Sequence, residues 1–326
     1  MNPKSNIALG DALVKILSMK NLTIFLAFLI LLSSPAKGQD FGKGLAALSK
    51  NDFATALSEW VPLANDGNTS AQYHLGIMYR NGKGVSKDYT EALKWFRLAA
   101  KQDNIDQHLK FVFMSSNINA QITLGKMYED GQGVSQDYTE ALKWYLEAAN
   151  NDVVNIEYVP IVGNGLAERV IRYRAASDVA RAKFHVGLMY QNARGVPKDY
   201  AEAMKWFTLA AHQGNANAQE RLGIMYFNTK RVPKEYAEAM KWFSLAAHQG
   251  HANAQYKLGI MYENGLSVLQ DYVLSMMWYN VSGINGASRC KRCSEYMATT
   301  MTSTAVEKAQ AMARECFSSG YEKCGY

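Results

Sequence analysis

The chain has 326 residues, of which 48% are hydrophobic and 20% are charged, and its formal net charge is +6. This is the composition of a folded protein, and it excludes an intrinsically disordered chain. Four lysines and one aspartate place half of the net charge in residues 1–38. The rest of the chain is only mildly basic, so we expect no nucleic-acid partner.

The N-terminus has the pattern of a secretory signal. Lys20 precedes an apolar run of eleven residues, 22–32, and small residues follow at Ala36 and Gly38. Signal peptides combine a positive flank, an apolar stretch of this length and a small-residue cleavage site. A helix that spans a bilayer needs about 20 apolar residues, so this run is too short to cross one comfortably.

We therefore predict that residues 1–38 are a cleaved signal peptide and that the mature chain begins at Gln39. Met19, directly before Lys20, is an alternative true start. The competing interpretation is a membrane anchor that is never removed. With cleavage, the mature protein has no membrane span and lies in the periplasm or outside a bacterial cell.

Residues 39–69 match the later repeats only in part. We predict that they form an N-terminal partial repeat or cap, with a second helix from Asn51 to Gly67. Pro62 lies inside this helix. Since proline removes a backbone hydrogen bond, it is expected to bend the helix there.

Five copies of one pattern occupy residues 70–289. Each begins with a segment like Ala-x-x-x-Leu-Gly-x-Met-Tyr, which ends at Tyr79, Tyr128, Tyr190, Tyr226 and Tyr262. An acidic-aromatic pair follows, and then a box with Trp95, Trp144, Trp206, Trp242 and, in a looser version, Trp278. Self-similarity at a spacing of 36 residues indicates a stack of small helical units instead of one globular core. We predict an all-α solenoid of stacked helix–turn–helix repeats.

The first copy shows how each unit is built. Apolar residues at helical spacing predict a first helix with one buried stripe. Gly76 costs this helix about 1 kcal/mol relative to alanine, so we expect it to permit close helix contact. Gly82 is expected to end the helix in the left-handed conformation, and Asp88 to cap the second helix. Trp95 and the alanines near it are expected in the core.

Two copies are interrupted by insertions near residues 105–117 and 152–177. The longer insertion carries Arg169, Arg172 and Arg174 with few acidic residues nearby. We predict a positive helix that meets an acidic protein or an anionic polymer of the cell envelope. The alternative is a solvated charged face without a partner.

Residues 290–326 are predicted to form a helical cap, because a stack of repeats needs a polar end to stay soluble. All four cysteines lie here, and in an exported chain they indicate disulfides. Three pairings are open, and we favour Cys316 with Cys324 and Cys290 with Cys293. The alternative is one zinc ion bound by four thiolates, which an oxidising compartment disfavours.

These motifs resemble the Sel-one-like repeat family, 36-residue relatives of the tetratricopeptide repeats. The signature is Ala-x-x-x-Leu-Gly-x-Met-Tyr, Gly-x-Gly-Val, Asp-Tyr and Glu-Ala-x-Lys-Trp, and it is met almost fully at 71–100 and 120–149. The resemblance covers roughly residues 41–289. It implies a right-handed α-solenoid and a role as an adaptor in protein complexes, including those of bacterial envelopes. It implies no particular ligand.

A secreted, cysteine-rich branch of this family joins its helices through cysteine pairs with seven residues between them. That branch is associated with penicillin binding and weak β-lactam hydrolysis. Cys316 and Cys324 have the same spacing, but only once and outside the repeats. An enzyme that acts on the cell wall or on β-lactams is therefore the alternative to a scaffold.

The sequence contains no zinc-protease, phosphate-loop or nucleophile-elbow motif. The Ser-x-x-Lys pattern of penicillin-recognising enzymes occurs at 34–37 and 288–291, as often as chance produces it and without a Lys-Thr-Gly partner. His74 and His185 share a repeat position that other copies fill with varied polar residues, so we expect them to be exposed. We predict no catalytic residue, no metal site and no cofactor.

The better candidates for function are surface positions. In a solenoid the first helices line the inner groove, and their non-stacking face falls at positions three, seven and ten of each repeat. The main groove candidates at these positions are Tyr73, Ile77, Arg80, Ile122, Phe184, Leu188, Phe227, Tyr256 and Ile260. Apolar residues that need not pack internally often mark binding surfaces. The alternative is that they only contact neighbouring helices.

The leading hypothesis is an exported scaffold that presents this groove to an extended peptide or to a partner helix. Its partner is then a protein or a peptide. The rival hypotheses are the cell-wall or β-lactam enzyme and a module that binds an anionic polymer through the basic insertion.

Overall fold

The structure is a computed structural model that describes residues 40–101, 110–151, 166–228, 235–287 and 290–324; the side chains of 110–114, 166–175 and 291 are outside the description. In these ranges it contains fourteen helices and no strand, which confirms the predicted all-α fold. The helices are α1 (Phe41–Ser49), α2 (Phe53–Asn65), α3 (Thr69–Asn81), α4 (Tyr89–Ala100), α5 (Lys110–Asp130), α6 (Tyr138–Ala149), α7 (Leu166–Asn192), α8 (Tyr200–His212), α9 (Ala216–Asn228), α10 (Tyr236–Ala247), α11 (Ala252–Asn264), α12 (Tyr272–Ile284), α13 (Cys290–Thr300) and α14 (Ser303–Ser318). The predicted signal peptide, 1–38, lies outside the described residues.

The described chain opens with a helical hairpin, α1 and α2, which we call the N-terminal hairpin. The carboxylate of Asp40 caps α1 by accepting from the Gly42 N–H at 2.8 Å. Asp52 caps α2 in the same way. Pro62 lies inside α2, as the sequence requires, and the helix ends at Asn65.

The turns of the complete repeats follow the expected chemistry. Gly82 ends α3 in the left-handed conformation, with φ of +68°. The carboxylate of Asp88 caps α4 by accepting from the backbone N–H groups two and three residues later, at 2.8 and 3.0 Å. Asp137 and Asp199 make the same bonds at the starts of α6 and α8. Glu235, in the same place before α10, makes no such bond, so the acid of the acidic-aromatic pair acts as a cap only where it is aspartate.

A glycine in the middle of the first helix lets the two helices of a repeat touch. A Cβ atom built at Gly76 would lie 2.6 Å from the ring of Phe96. One built at Gly223 would lie 2.5 Å from Phe243, and Gly259 is equally crowded. Side chains do not approach so closely, so the expectation that these glycines permit close contact is confirmed.

The two insertions lengthen first helices where the structure describes them. α5 has 21 residues and α7 has 27, whereas α9 has 13. The described part of each insertion extends the N-terminal end of its helix, and the remaining inserted residues lie outside the description. None of the described helices is long and apolar enough to cross a membrane.

The chain divides into two compact units, Met1–Gln136 and Asp137–Tyr326. In the first unit α1 to α5 pack one after another, and Trp60 and Phe96 are fully buried. In the second unit α6 to α12 pack one after another, and α13 and α14 both pack against α12. Each unit therefore has its own core of stacked hairpins.

The tryptophans of the repeats lie in these cores. Trp95 is 8% exposed, Trp242 is 5% exposed and Trp278 is 2% exposed, as predicted. Trp144 and Trp206 are partly buried. Aromatic rings of this size bury a large apolar area and so contribute strongly to a core.

A disulfide between Cys316, near the end of α14, and Cys324 closes a short loop at the C-terminal end of the second unit. Both cysteines are buried and pack in one cluster with Trp278. The hydroxyl of Tyr321, in the loop that the disulfide closes, donates to the side-chain oxygen of Asn285 at 2.8 Å. Because two of the four sulfurs form a disulfide, a zinc site of four thiolates is excluded.

The predicted disulfide between Cys290 and Cys293 is wrong, because both residues are thiols in the structure. The Ser282 hydroxyl donates its only hydrogen to the Ala252 carbonyl at 2.6 Å. The Ser282 oxygen also lies 3.1 Å from Cys290 Sγ, and since its own hydrogen is already used, it accepts the thiol hydrogen of Cys290. This bond holds the buried Cys290 against α12 and uses the thiol form.

Candidate functional site

Repeat positions three, seven and ten, which lie on the first helices and which we call the first-helix face, are mostly half-open to solvent. Of the nine predicted residues, eight are half-buried. Ile122 is buried, with 6% exposure, so its assignment to an open surface is wrong. It lies on α5, which packs against both α3 and α4.

The aromatic residues of this face rest on buried rings of their own repeat. The ring of Tyr73 lies 5.8 Å from that of Phe96, and Phe184 lies 5.7 Å from Phe207. Tyr256 is placed in the same way on α11. The rings therefore contact a neighbouring helix and are also partly exposed, and their role in binding stays a prediction.

The aliphatic residues at position seven continue the face. Leu188 packs at the edge of the core cluster that contains Phe207. Ile260 packs at the edge of the cluster that contains Tyr279. Ile77 holds the same repeat position in the first unit and is also half-buried. Leu188 and Ile260 are thus held by the core on one side, and all three side chains keep some apolar surface exposed.

Cations sit over two of the aromatic rings. The guanidinium carbon of Arg80 lies 6.0 Å from the centre of the Phe96 ring. The amine of Lys257 lies 5.3 Å from the centre of the Phe227 ring. Such contacts are worth about 0.5–1 kcal/mol at exposed sites and hold the cation at the rim of an apolar surface.

Glu263, at repeat position ten on α11, adds an acidic group that is held in one orientation. It accepts a hydrogen bond of 2.5 Å from the Tyr279 hydroxyl. Burial raises the pKa of Tyr279, and the bond to the carboxylate raises it further. The phenol therefore stays neutral and acts as a donor that orients Glu263.

The predicted basic cluster lies on a helix, as expected. Arg169, Arg172 and Arg174 fall within α7, which begins at Leu166. Their side chains lie outside the described part of the structure. Their role stays a prediction.

Two histidines that the sequence placed in solvent are packed between hairpins instead. The ring of His74 stacks on Trp60 at 4.8 Å. The ring of His185 stacks on Tyr145 at 4.7 Å, with 6° between the planes. Each histidine contacts an aromatic residue of the preceding hairpin, so the side chain at repeat position four packs between two hairpins.

A second inter-hairpin contact was missed in the sequence. The amide of Gln72 donates to the Ala64 carbonyl at 2.9 Å. Gln255 makes the equivalent bond to Ala247 at 3.0 Å. Each glutamine satisfies a carbonyl near the end of the preceding helix. Its recurrence directly after the first alanine of the repeat was the signal for it.

The described residues contain no group of three or more His, Cys, Asp or Glu side chains placed to hold a metal ion. The Ser-x-x-Lys matches at 34–37 and 288–291 fall wholly or partly outside the description. The first-helix face, with residues in each of the two units, stays the predicted binding surface.

Comparison with known proteins identifies the repeat. The Sel1 repeat family matches the chain at residues 69–104, 118–153, 180–215, 216–251 and 252–282. No curated relative matches the sequence.

Comparison with solved structures also finds repeat proteins. A Sel1 repeat protein from Oxalobacter formigenes is 25% identical and has a TM-score of 0.62, over 85% of this chain and 100% of its own. A protective antigen of uropathogenic Escherichia coli strains, which displays an SLR fold, is 26% identical with a TM-score of 0.40, over 87% of this chain and 65% of its own. The first of these supports an all-α fold of stacked repeats.

Proposed function

The chain belongs to the Sel1 repeat family, and on that premise we propose that it is an exported scaffold that binds a protein or peptide through its first-helix face. Sel1 repeats generally mediate contacts between proteins, and proteins built from them are typically non-catalytic. The proposed location is the bacterial cell envelope or the space outside it.

The observation that carries this proposal is the half-open set of rings on the first-helix face. Tyr73 and Phe184 each rest on a fully buried ring, Phe96 and Phe207. A side chain already held in one orientation loses little conformational entropy when a partner covers it. Large, rigid aromatic side chains of this kind dominate binding energy at protein interfaces.

Export is proposed from the first 38 residues. Their apolar run is flanked by Lys20 and by small residues, as in a signal peptide. The disulfide between Cys316 and Cys324 is compatible with an oxidising compartment. The mature N-terminus is then Gln39, which mass spectrometry of the protein recovered from the periplasm or the medium would identify.

The experiment that tests binding compares two triple variants of the mature protein. The first replaces Tyr73, Phe184 and Tyr256 by alanine on the first-helix face. The second replaces Leu98, Leu209 and Leu245 by alanine; these residues are 45%, 48% and 45% exposed on second helices. Both variants remove three partly exposed apolar side chains, so the second controls for a general loss of apolar surface.

Each variant is used to capture partners from an envelope extract of the native organism, and the captured proteins are identified by mass spectrometry. We expect the same identified partner on the wild type and the leucine variant and its loss from the aromatic variant. Circular dichroism checks that both variants keep their helical content. Equal capture of that partner by all three proteins would refute the assignment of the first-helix face.

A further inference from the structure

His74 lies at the joint between the N-terminal hairpin and the first complete repeat. Its ring centre is 4.8 Å from that of Trp60, with 26° between the planes. It is 5.5 Å from Phe41, which belongs to α1, and 5.5 Å from Tyr73 on its own helix. The imidazole is therefore enclosed by rings from both sides of the joint.

The joint is built mainly from apolar contacts, because Trp60 of α2 packs in one cluster with Leu75 and Met78 of α3. Gln72, two residues before His74, donates to the Ala64 carbonyl of α2 at 2.9 Å. Trp60 is fully buried, and its indole N–H donates to the Phe41 carbonyl within the N-terminal hairpin at 3.3 Å. The attachment of the hairpin thus depends largely on apolar and aromatic contacts. The face of Trp60 attracts a cation by about 0.5–2 kcal/mol, but a charge buried without a partner loses its hydration, which costs more.

The ionisable groups around the joint do not supply a counter-charge. Lys43 of α1 and Glu59 of α2 form an ion pair with each other, and Glu59 also accepts from the Asp40 backbone. Arg80, on the same helix as His74, lies over Phe96. Burial alone lowers the pKa of His74, to about 4. In the described part of the chain, no carboxylate opposes this effect of burial.

We propose that His74 makes the attachment of the N-terminal hairpin sensitive to acid, and that protonation of its imidazole releases α1 and α2 from α3. The released ring is solvated and takes up a proton readily. The attached ring packs against Trp60 and Phe41, which largely bury it, and it takes up a proton less readily. The attachment of the hairpin at the end of the first unit therefore weakens as the pH falls.

The direction follows from the two protonation equilibria. The released imidazole has its ordinary pKa of 6.5, and the attached one has a pKa of about 4. Above pH 6.5 the attached state is fully favoured, and between pH 6.5 and about 4 each pH unit favours release about tenfold. Between pH 7 and pH 5 the equilibrium for release should rise about 20-fold.

Between pH 7 and pH 5, His74 can change its protonation without a change in that of the nearby Glu59. The hydrogen bond from Lys43 and the bond from the Asp40 backbone lower the pKa of Glu59 below its ordinary 4.5. Glu59 therefore stays ionised down to pH 5. A change between pH 7 and pH 5 reports on His74 and not on that carboxylate.

Amide hydrogen exchange of the mature chain, read by mass spectrometry on peptides from α1 and α2, tests the proposal. Exchange is corrected for its intrinsic pH dependence and compared at pH 7 and pH 5 in wild type, His74→Phe and His248→Phe. We expect opening of the N-terminal hairpin to increase about 20-fold in the wild type and in His248→Phe. His74→Phe, which keeps the aromatic packing, should show no such increase.

The same increase in His74→Phe would overturn the proposal, because opening would then not depend on this imidazole. A second measurement does not need the variant to fold. In the wild type, the NMR titration of the His74 ring should give a pKa near 4. A value near 6.5 would equally overturn it.

Discussion

Gly76 lies against the face of Phe96, and a methyl group added at Gly76 would sit 2.6 Å from that ring. The close contact between the two helices of a repeat therefore depends on the absence of a side chain at one position. Since the same contact recurs between Gly223 and Phe243, the glycine is a requirement of the repeat and not of a single hairpin.

Replacement of Gly223 by alanine should destabilise the second unit. The new methyl group meets Phe243 at 2.5 Å. Overpacking of this kind costs about 1–3 kcal/mol, which exceeds the gain of about 1 kcal/mol in helix propensity. Urea unfolding followed by circular dichroism should show the loss. Gly283→Ala is the control: its nearest atom lies 3.9 Å away, so the substitution should leave stability unchanged or raise it.

Replacement of Ala193 by glycine should raise the stability of the protein. It follows α7 with φ of +57°, a conformation that costs a residue with a side chain about 1–2 kcal/mol. Glycine would remove this cost, but its greater freedom in the unfolded chain offsets part of the benefit. Ala193→Gly should therefore raise stability by about 0.5–1 kcal/mol. Gly131→Ala is the reverse test, with φ of +69° and no atom closer than 3.4 Å, and it should lower stability. A higher thermal midpoint for both variants would contradict this account of the turns.

Removal of a helix cap should distinguish two equivalent acids. Asp199 accepts from two backbone N–H groups at 2.9 Å at the start of α8, whereas Glu235 makes no cap bond at the start of α10. Asp199→Ala should cost about 1 kcal/mol of unfolding free energy, and Glu235→Ala close to none. Chemical denaturation of the two variants beside the wild type would measure this difference. Equal losses would mean that the carboxylate acts through its charge alone.

The repeat architecture could be predicted because its causes are local. The left-handed conformation of Gly82 and the cap formed by Asp88 each depend on a few neighbouring residues. Burial of Trp95 follows from helical spacing, which puts it on the same face as the alanines. A 36-residue period then repeats these local rules along the chain.

The contacts between hairpins could not be predicted in the same way. His74 was expected in solvent because other copies vary at its position, but it meets Trp60, a residue 14 positions away. Ile122 was expected on an open face, but the packing of α5 on two helices buries it. Cys290 was expected in a disulfide, but its thiol bonds to Ser282. Each outcome depends on how one helix packs on another, and the repeat pattern does not determine the relative position of two packed helices.

The most direct test of the central claim is site-specific photo-crosslinking in living cells. A photoreactive amino acid replaces Tyr256 on the first-helix face or, as the matched control, Leu245 on a second helix of the same unit. The account predicts a specific protein adduct from position 256 and none from position 245. An adduct only from position 245 would contradict it and would place the binding surface on the second helices.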